Sequence, residues 1–104
     1  MWNQQQAIDL CKAVEAVSPD YGFHVALTGG LLYKEGDRKD CDILFYTIRS
    51  WCGMGDKIGL LSKLYELGIF INKDCGFCVK AYYHDKVLDM FFPEEEHGEY
   101  DEAI

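Results

Sequence analysis

The sequence predicts an α+β domain, a mixed sheet flanked by helices. Three observations carry that prediction. Residues 4–17 hold apolar side chains at helical spacing. Two apolar runs, 23–27 and 43–46, mark strands at 23–28 and 40–48 next to turn-forming residues. Residues 77–92 alternate or run apolar on either side of His84-Asp85, as a β-hairpin does.

In order, the first helix buries Ala7, Leu10, Cys11, Val14 and Val17, with Asp9, Lys12 and Glu15 facing water. Asn3 is its N-cap, and Gln6 three residues on completes a capping box. Ser18-Pro19 ends it. Phe23 to Thr28 forms the first strand; His24 within it is a structural or half-exposed residue with no assigned role. Leu31 to Lys34 starts a short helix, and residues 40–48 form the second strand. Asp56 to Leu67 reads as a helix whose buried face is Ile58, Leu61, Leu64 and Tyr65, with Gly68 as its stop signal. Trp51, just before it, packs on that helix in preference to stacking on a base. The strands Phe77 to Tyr83 and Lys86 to Phe92 follow, and Pro93 closes the last one. The predicted order is thus α-β-(short α)-β-α-β-β.

Length and charge bound the function. At 104 residues, 49% apolar and 14% aromatic, the chain has material for one core. Residues 1–93 form the expected single domain and 94–104 an acidic, frayed tail. Six of the 18 acids fall in that tail with no Lys or Arg among them, so the net charge of −8 leaves only −2 for residues 1–93. A nearly neutral body argues against an extended nucleic-acid surface. No apolar run reaches 18 residues, so no membrane helix is expected, and the opening M-W-N-Q-Q-Q has no signal-peptide pattern. The expected location is the cytoplasm. There the five cysteines stay reduced, and Cys75 and Cys78, lacking further ligands at zinc spacing, are small thiols at a turn.

The chemistry concentrates in residues 27–46, L-T-G-G-L-L-Y-K-E-G-D-R-K-D-C-D-I-L-F-Y. Gly29 and Gly30, directly after an apolar run, let backbone approach a ligand closely and turn N–H groups outward, as phosphate sites require. Asp40 and Asp42 enter the next strand one residue apart. They therefore share a face, with Cα atoms roughly 6.5–7 Å apart. Two adjacent carboxylates repel, and a hard divalent cation such as Mg²⁺ or Mn²⁺ cancels that repulsion. Asp89 sits alone at the centre of K-V-L-D-M-F-F, on a face with Val87 and Phe91. Neighbouring strands would bring it beside the first two acids. G-M-G-D-K-I at 53–58 is not a dinucleotide fingerprint, since Ile58 takes the place of the third glycine, and no P-loop is present.

A glycine pair, then Asp-x-Asp entering a strand, then a lone Asp in a later strand resembles the nucleotidyltransferase core of the DNA polymerase beta superfamily. The likeness covers residues 22–92, and the small size resembles the minimal nucleotidyltransferases. The L-T-G-G opening also resembles the nucleotidyltransferase toxins of abortive-infection systems. Many superfamily members carry Gly-Ser; here Gly30 removes the hydroxyl contact and fits the Gly-Gly subgroups. The resemblance implies a nucleotidyltransferase-like sheet that moves a nucleoside monophosphate from a nucleoside triphosphate to a hydroxyl acceptor on a protein, RNA end or small molecule. It implies two Mg²⁺ (or Mn²⁺) ions on Asp40, Asp42 and Asp89, with Asp89 also helping to deprotonate the acceptor. The amides of Gly29 and Gly30 would hold the β- and γ-phosphates. Lys34, Arg38 and Lys39 are either a solvated loop or triphosphate contacts, Arg38 being suited to a forked contact. Lys80 reads as a surface charge or a phosphate contact. The chain has no room for the helical domain that grips base or acceptor in many members, so a partner subunit or second copy completes the site, or specificity is loose. The alternative is an inactive nucleotidyltransferase-like binding or regulatory module, antitoxin- or inhibitor-like.

Overall fold

A computed structural model gives the architecture, and residues 1–33, 36–48 and 55–94 are described. Lys34, Trp51, Cys52 and the tail beyond Glu94 lie outside those residues. The elements are α1 (Gln4–Glu15), a 3-10 turn (Ser18–Tyr21), β1 (Phe23–Thr28), α2 (Gly30–Tyr33), β2 (Asp40–Thr47), α3 (Lys57–Glu66), β3 (Ile69–Asp74), β4 (Cys78–Tyr83) and β5 (Lys86–Phe91). The sheet order is β1-β2-β5-β4-β3. Among the described residues only β2 and β5 pair in parallel; the other three pairs are antiparallel. The chain is a small α+β domain with a five-stranded mixed sheet.

Local chemistry sets each element. Asn3 accepts from the Gln6 amide at 2.8 Å, and the Gln6 side chain accepts from the Asn3 amide at 3.0 Å, closing the expected capping box. Asp56 caps α3 through the Gly59 amide at 2.9 Å. His84 and Asp85 both take positive φ, 49° and 63°, the two-residue turn whose twist suits a hairpin.

One face of the sheet holds the core. Cys41, Ile43 and Phe45 of β2 join Leu88 and Met90 of β5, Val79 and Ala81 of β4, Ala7, Leu10 and Val14 of α1, and Leu60 and Leu64 of α3. Phe45 stacks on Phe92 at 4.8 Å between ring centroids, and Phe23 meets both edge-on. Trp2 is fully buried. Its indole N–H donates to the Val87 carbonyl at 2.6 Å, its ring stacks on Tyr83, and its backbone exchanges two hydrogen bonds with Arg38 (2.7 and 2.8 Å).

Two expectations are corrected. The segment after Gly68 is a fifth strand, β3, that the predicted order lacks. Its apolar half, Ile69-Phe70-Ile71, is only three residues long, and a register shift between Ile71 and Lys73 breaks the alternation that marks a strand. In α3 the buried residues are Leu60 and Leu64, whereas Ile58 and Tyr65 are 80% and 61% exposed. Apolar residues surround this helix on several sides, and Tyr65 instead meets Phe70 edge-on at 5.1 Å on the surface.

The outer strand β1 has β2 as its neighbour on one side only. On its other side Glu15 accepts from the Val25 amide at 2.9 Å and lies 2.6 Å from His24 Nδ1. A carboxylate planted on an open strand edge deters further strand pairing. His24 is thereby structural, as expected. At the far end of the described chain Glu94 accepts from the Thr47 amide at 2.9 Å and from the Thr47 hydroxyl. These bonds hold its carboxyl below the ordinary carboxylate range. Glu94, assigned to the frayed tail, is therefore tethered.

Candidate active site

The face opposite the core carries Asp42 and Asp89. Register places Thr28 beside Asp42, Asp42 beside Asp89, Asp89 beside Lys80 and Lys80 beside Lys73. One polar rung therefore crosses all five strands. The rungs on either side are largely apolar: Ala26, Leu44, Phe91 and Cys78 on one, Val87, Tyr82 and Phe70 on the other. Asp89 is only 7% exposed, although it lies on the face away from the core. Thr28, Gly29, Asp42, Leu44, Phe77, Phe91 and Pro93 line a shallow pocket of about 390 Å³ that includes Asp42 but not Asp89.

The glycine pair is shaped around the acids and the guanidinium. Gly29 has φ +73°, and a Cβ built there would overlap the Asp42 carboxylate. A Cβ on Gly30 would come within 2.6 Å of Arg38 Nε. Each glycine thus admits one charged side chain against the backbone. Arg38 is fixed by its backbone pairing with Trp2, two residues before Asp40. Lys39 is exposed. Gly29→Ala is expected to cost about 2 kcal/mol or more, from left-handed strain plus the collision. In an Asp42→Ala background the cost should shrink, because the colliding carboxylate is gone. Urea denaturation of the four proteins checks this, and strictly additive losses would refute the packing account.

The carboxyl groups of Asp42 and Asp89 are close enough to share a hydrogen bond. Burial first, then the charges of Asp89 and Asp40, push Asp42 above its ordinary value of 3.8, while Lys80 opposes the rise. Lys80 Nζ lies 3.2 Å from Asp89 Oδ1. This is an ion-pair contact off the hydrogen-bond direction, so Oδ1 is buried and compensated in charge yet lacks a hydrogen-bond partner. Asp40 is exposed, on the same face one pleat along β2. Among the described residues no three His, Cys, Asp or Glu side chains are gathered closely enough to hold one ion. The structure therefore brings Asp42 and Asp89 together and leaves Asp40 adjacent but outside their grasp. Two neighbouring carboxylates, one with a buried oxygen that lacks a hydrogen-bond partner, are oxygen donors of the kind a hard divalent cation takes.

The shift has a sign that can be tested. An acid whose folded-state pKa lies above its unfolded value penalises the fold once ionised. The penalty is absent below about 3.8, grows as pH rises, and is complete above the folded-state value. Asp42→Asn should therefore gain stability over wild type at pH 7, and that gain should disappear by pH 3.5 in metal-free buffer. Chemical denaturation at both pH values checks it, and a gain that stays constant with pH would count against this assignment.

Sequence reasoning missed two contributors to the rung. Lys73 lies on the unpredicted strand β3, and Thr28 gave no signal beyond its place before the glycines. Lys80 is the direct neighbour of Asp89 on β4. Cys75 and Cys78 flank the turn into β4, where the Cys75 amide donates to the Cys78 carbonyl at 2.9 Å. No helix among the described residues is long and apolar enough to cross a membrane. No family model, curated protein or solved structure matches the chain.

Proposed function

We propose that this chain is a metal-dependent nucleotidyltransferase of the nucleotidyltransferase-like fold, transferring a nucleoside monophosphate from a nucleoside triphosphate to a hydroxyl acceptor. The observation that supports the reading is the parallel register of β2 and β5, which sets Asp42 directly beside Asp89 under the Gly29 turn. Asp42 and Asp89 would hold a divalent ion, and Asp40, one pleat away and exposed, would close on a second. Bound ions would lower the acceptor hydroxyl's pKa and neutralise the charge leaving with pyrophosphate. The backbone at Gly29 and Gly30 and the guanidinium of Arg38 would orient the triphosphate. Asp89, sheltered from bulk water, would take the acceptor's proton.

The alternative is a binding module that keeps the acids without turnover. What favours it is that Asp40 stands apart from the other two carboxylates. Calorimetry separates these readings from an unrelated fold. Each of the four nucleoside triphosphates is titrated with Mg²⁺ into wild type and into Asp42→Ala. Metal-dependent binding that is lost in the variant is expected, followed by transfer to labelled acceptors if the chain is an enzyme. Absence of metal-dependent binding to any of the four would sink both nucleotide readings.

A further inference from the structure

The rung that carries the acids continues into two lysines. Lys73 and Lys80 are directly opposed on β3 and β4 and point to the same face. Like charges so placed repel. Lys80 leans the other way, onto Asp89, although its side chain remains 50% exposed. Asp89 is nearly buried and lies against a second carboxyl group, that of Asp42. Buried like charges without a compensating cation are strongly unfavourable. The Lys80 ammonium supplies one positive charge at the position where a divalent ion on these acids would supply two.

We propose that Lys80 is a built-in counter-cation for the Asp42–Asp89 pair, seated on Asp89 when no metal is bound and displaced when a divalent ion enters. This inference rests on the metal-dependent reading above. The geometry supports displacement over permanent anchorage on two counts. The contact is at ion-pair distance without hydrogen-bond alignment. The lysine stem is flexible and half exposed, so it can withdraw without disturbing the strand. Lys80 is thus a positioning residue: it keeps the acids folded together in the metal-free protein and sets how readily metal replaces it.

Two measurements test this. The first is a thermal-stability cycle in chelator-treated buffer with wild type, Lys80→Met, Asp89→Asn and the double variant. Lys80→Met is expected to lower Tm by about 4 °C in wild type and to leave Tm unchanged when Asp89 is already neutral. Equal losses in both backgrounds overturn the proposal, whatever the metal does. The second is Mn²⁺ titration of wild type and Lys80→Met, with no nucleotide present. Lys80→Met is expected to bind Mn²⁺ roughly fivefold to tenfold more tightly, since no ammonium need be expelled. Lys80→Gln should show the same direction of change. Equal or weaker Mn²⁺ binding by the variant overturns the proposal and leaves the metal-dependent reading standing. Failure of both proteins to bind Mn²⁺ overturns the proposal together with that reading.

Discussion

Asp89→Asn is expected to lower nucleotidyl transfer by about 10³-fold or more while leaving the fold intact. The two halves of this expectation have one cause. Asp89 is buried beside Asp42, and Lys80 compensates only part of their combined charge. An amide of the same shape removes the repulsion and can donate a hydrogen bond to the Asp42 carboxylate. It also removes the charge that binds metal and the base that would accept the acceptor's proton. Transfer of label from a nucleoside triphosphate, measured beside urea denaturation, tests both halves. Activity within tenfold of wild type would exclude Asp89 from the chemistry. An unfolded variant would show that the carboxylate serves the fold instead. Acids that cost the metal-free fold stability suit a site built for a cation.

Trp2→Ala should be among the most destabilising single substitutions, at about 3–5 kcal/mol. Such a loss is a large share of the total stability of a domain this size, which is about 5–15 kcal/mol. The side chain is fully buried, stacks on Tyr83 with centroids 6.0 Å apart, and carries Lys86 Nζ over its ring at 5.1 Å. Its removal would open a cavity and leave the Val87 carbonyl without its donor. Trp2→Phe should retain the stacking and lose mainly the hydrogen bond, at about 1–2 kcal/mol. Denaturant titration distinguishes the two, and a loss under about 1 kcal/mol for Trp2→Ala would contradict this account of the packing. Because Trp2 pairs with the backbone of Arg38, the alanine variant should also loosen the segment that leads into Asp40 and Asp42.

The sequence was most legible where local rules act alone. The Asn3 cap, the stripe of α1, the limits of β1 and the turn at His84-Asp85 all depend on residues a few positions apart. Alternation along β2 put Asp40 and Asp42 on one shared face, and the structure makes that the face away from the core. Register was beyond reach. Parity alone allows Asp89 to lie beside Asp40 or beside Asp42, and the choice is made by a parallel pairing between distant segments. β3 was hidden because its outer half, Asn72-Lys73-Asp74, is polar on an edge strand with one neighbour. The burial of Trp2 carried no periodic signal at all, since a lone tryptophan before a helix belongs to no stripe.

The parallel pairing at the centre of the sheet has a kinetic consequence. β2 can form its hairpin-like pair with β1 early, and β3, β4 and β5 can assemble as a local meander. The junction between these halves is the β2–β5 ladder, sealed by a hydrogen bond between residues 85 positions apart, Trp2 and Val87. Closing so long a loop is entropically slow and gains its contacts only at the end. Asp42 and Asp89 sit on opposite sides of that junction, so they meet only as the two halves dock. A ribosome-bound chain that lacks Lys86–Phe91 would have no strand to join β2 to β4, and any divalent-ion affinity should appear in the same kinetic phase as the final docking step.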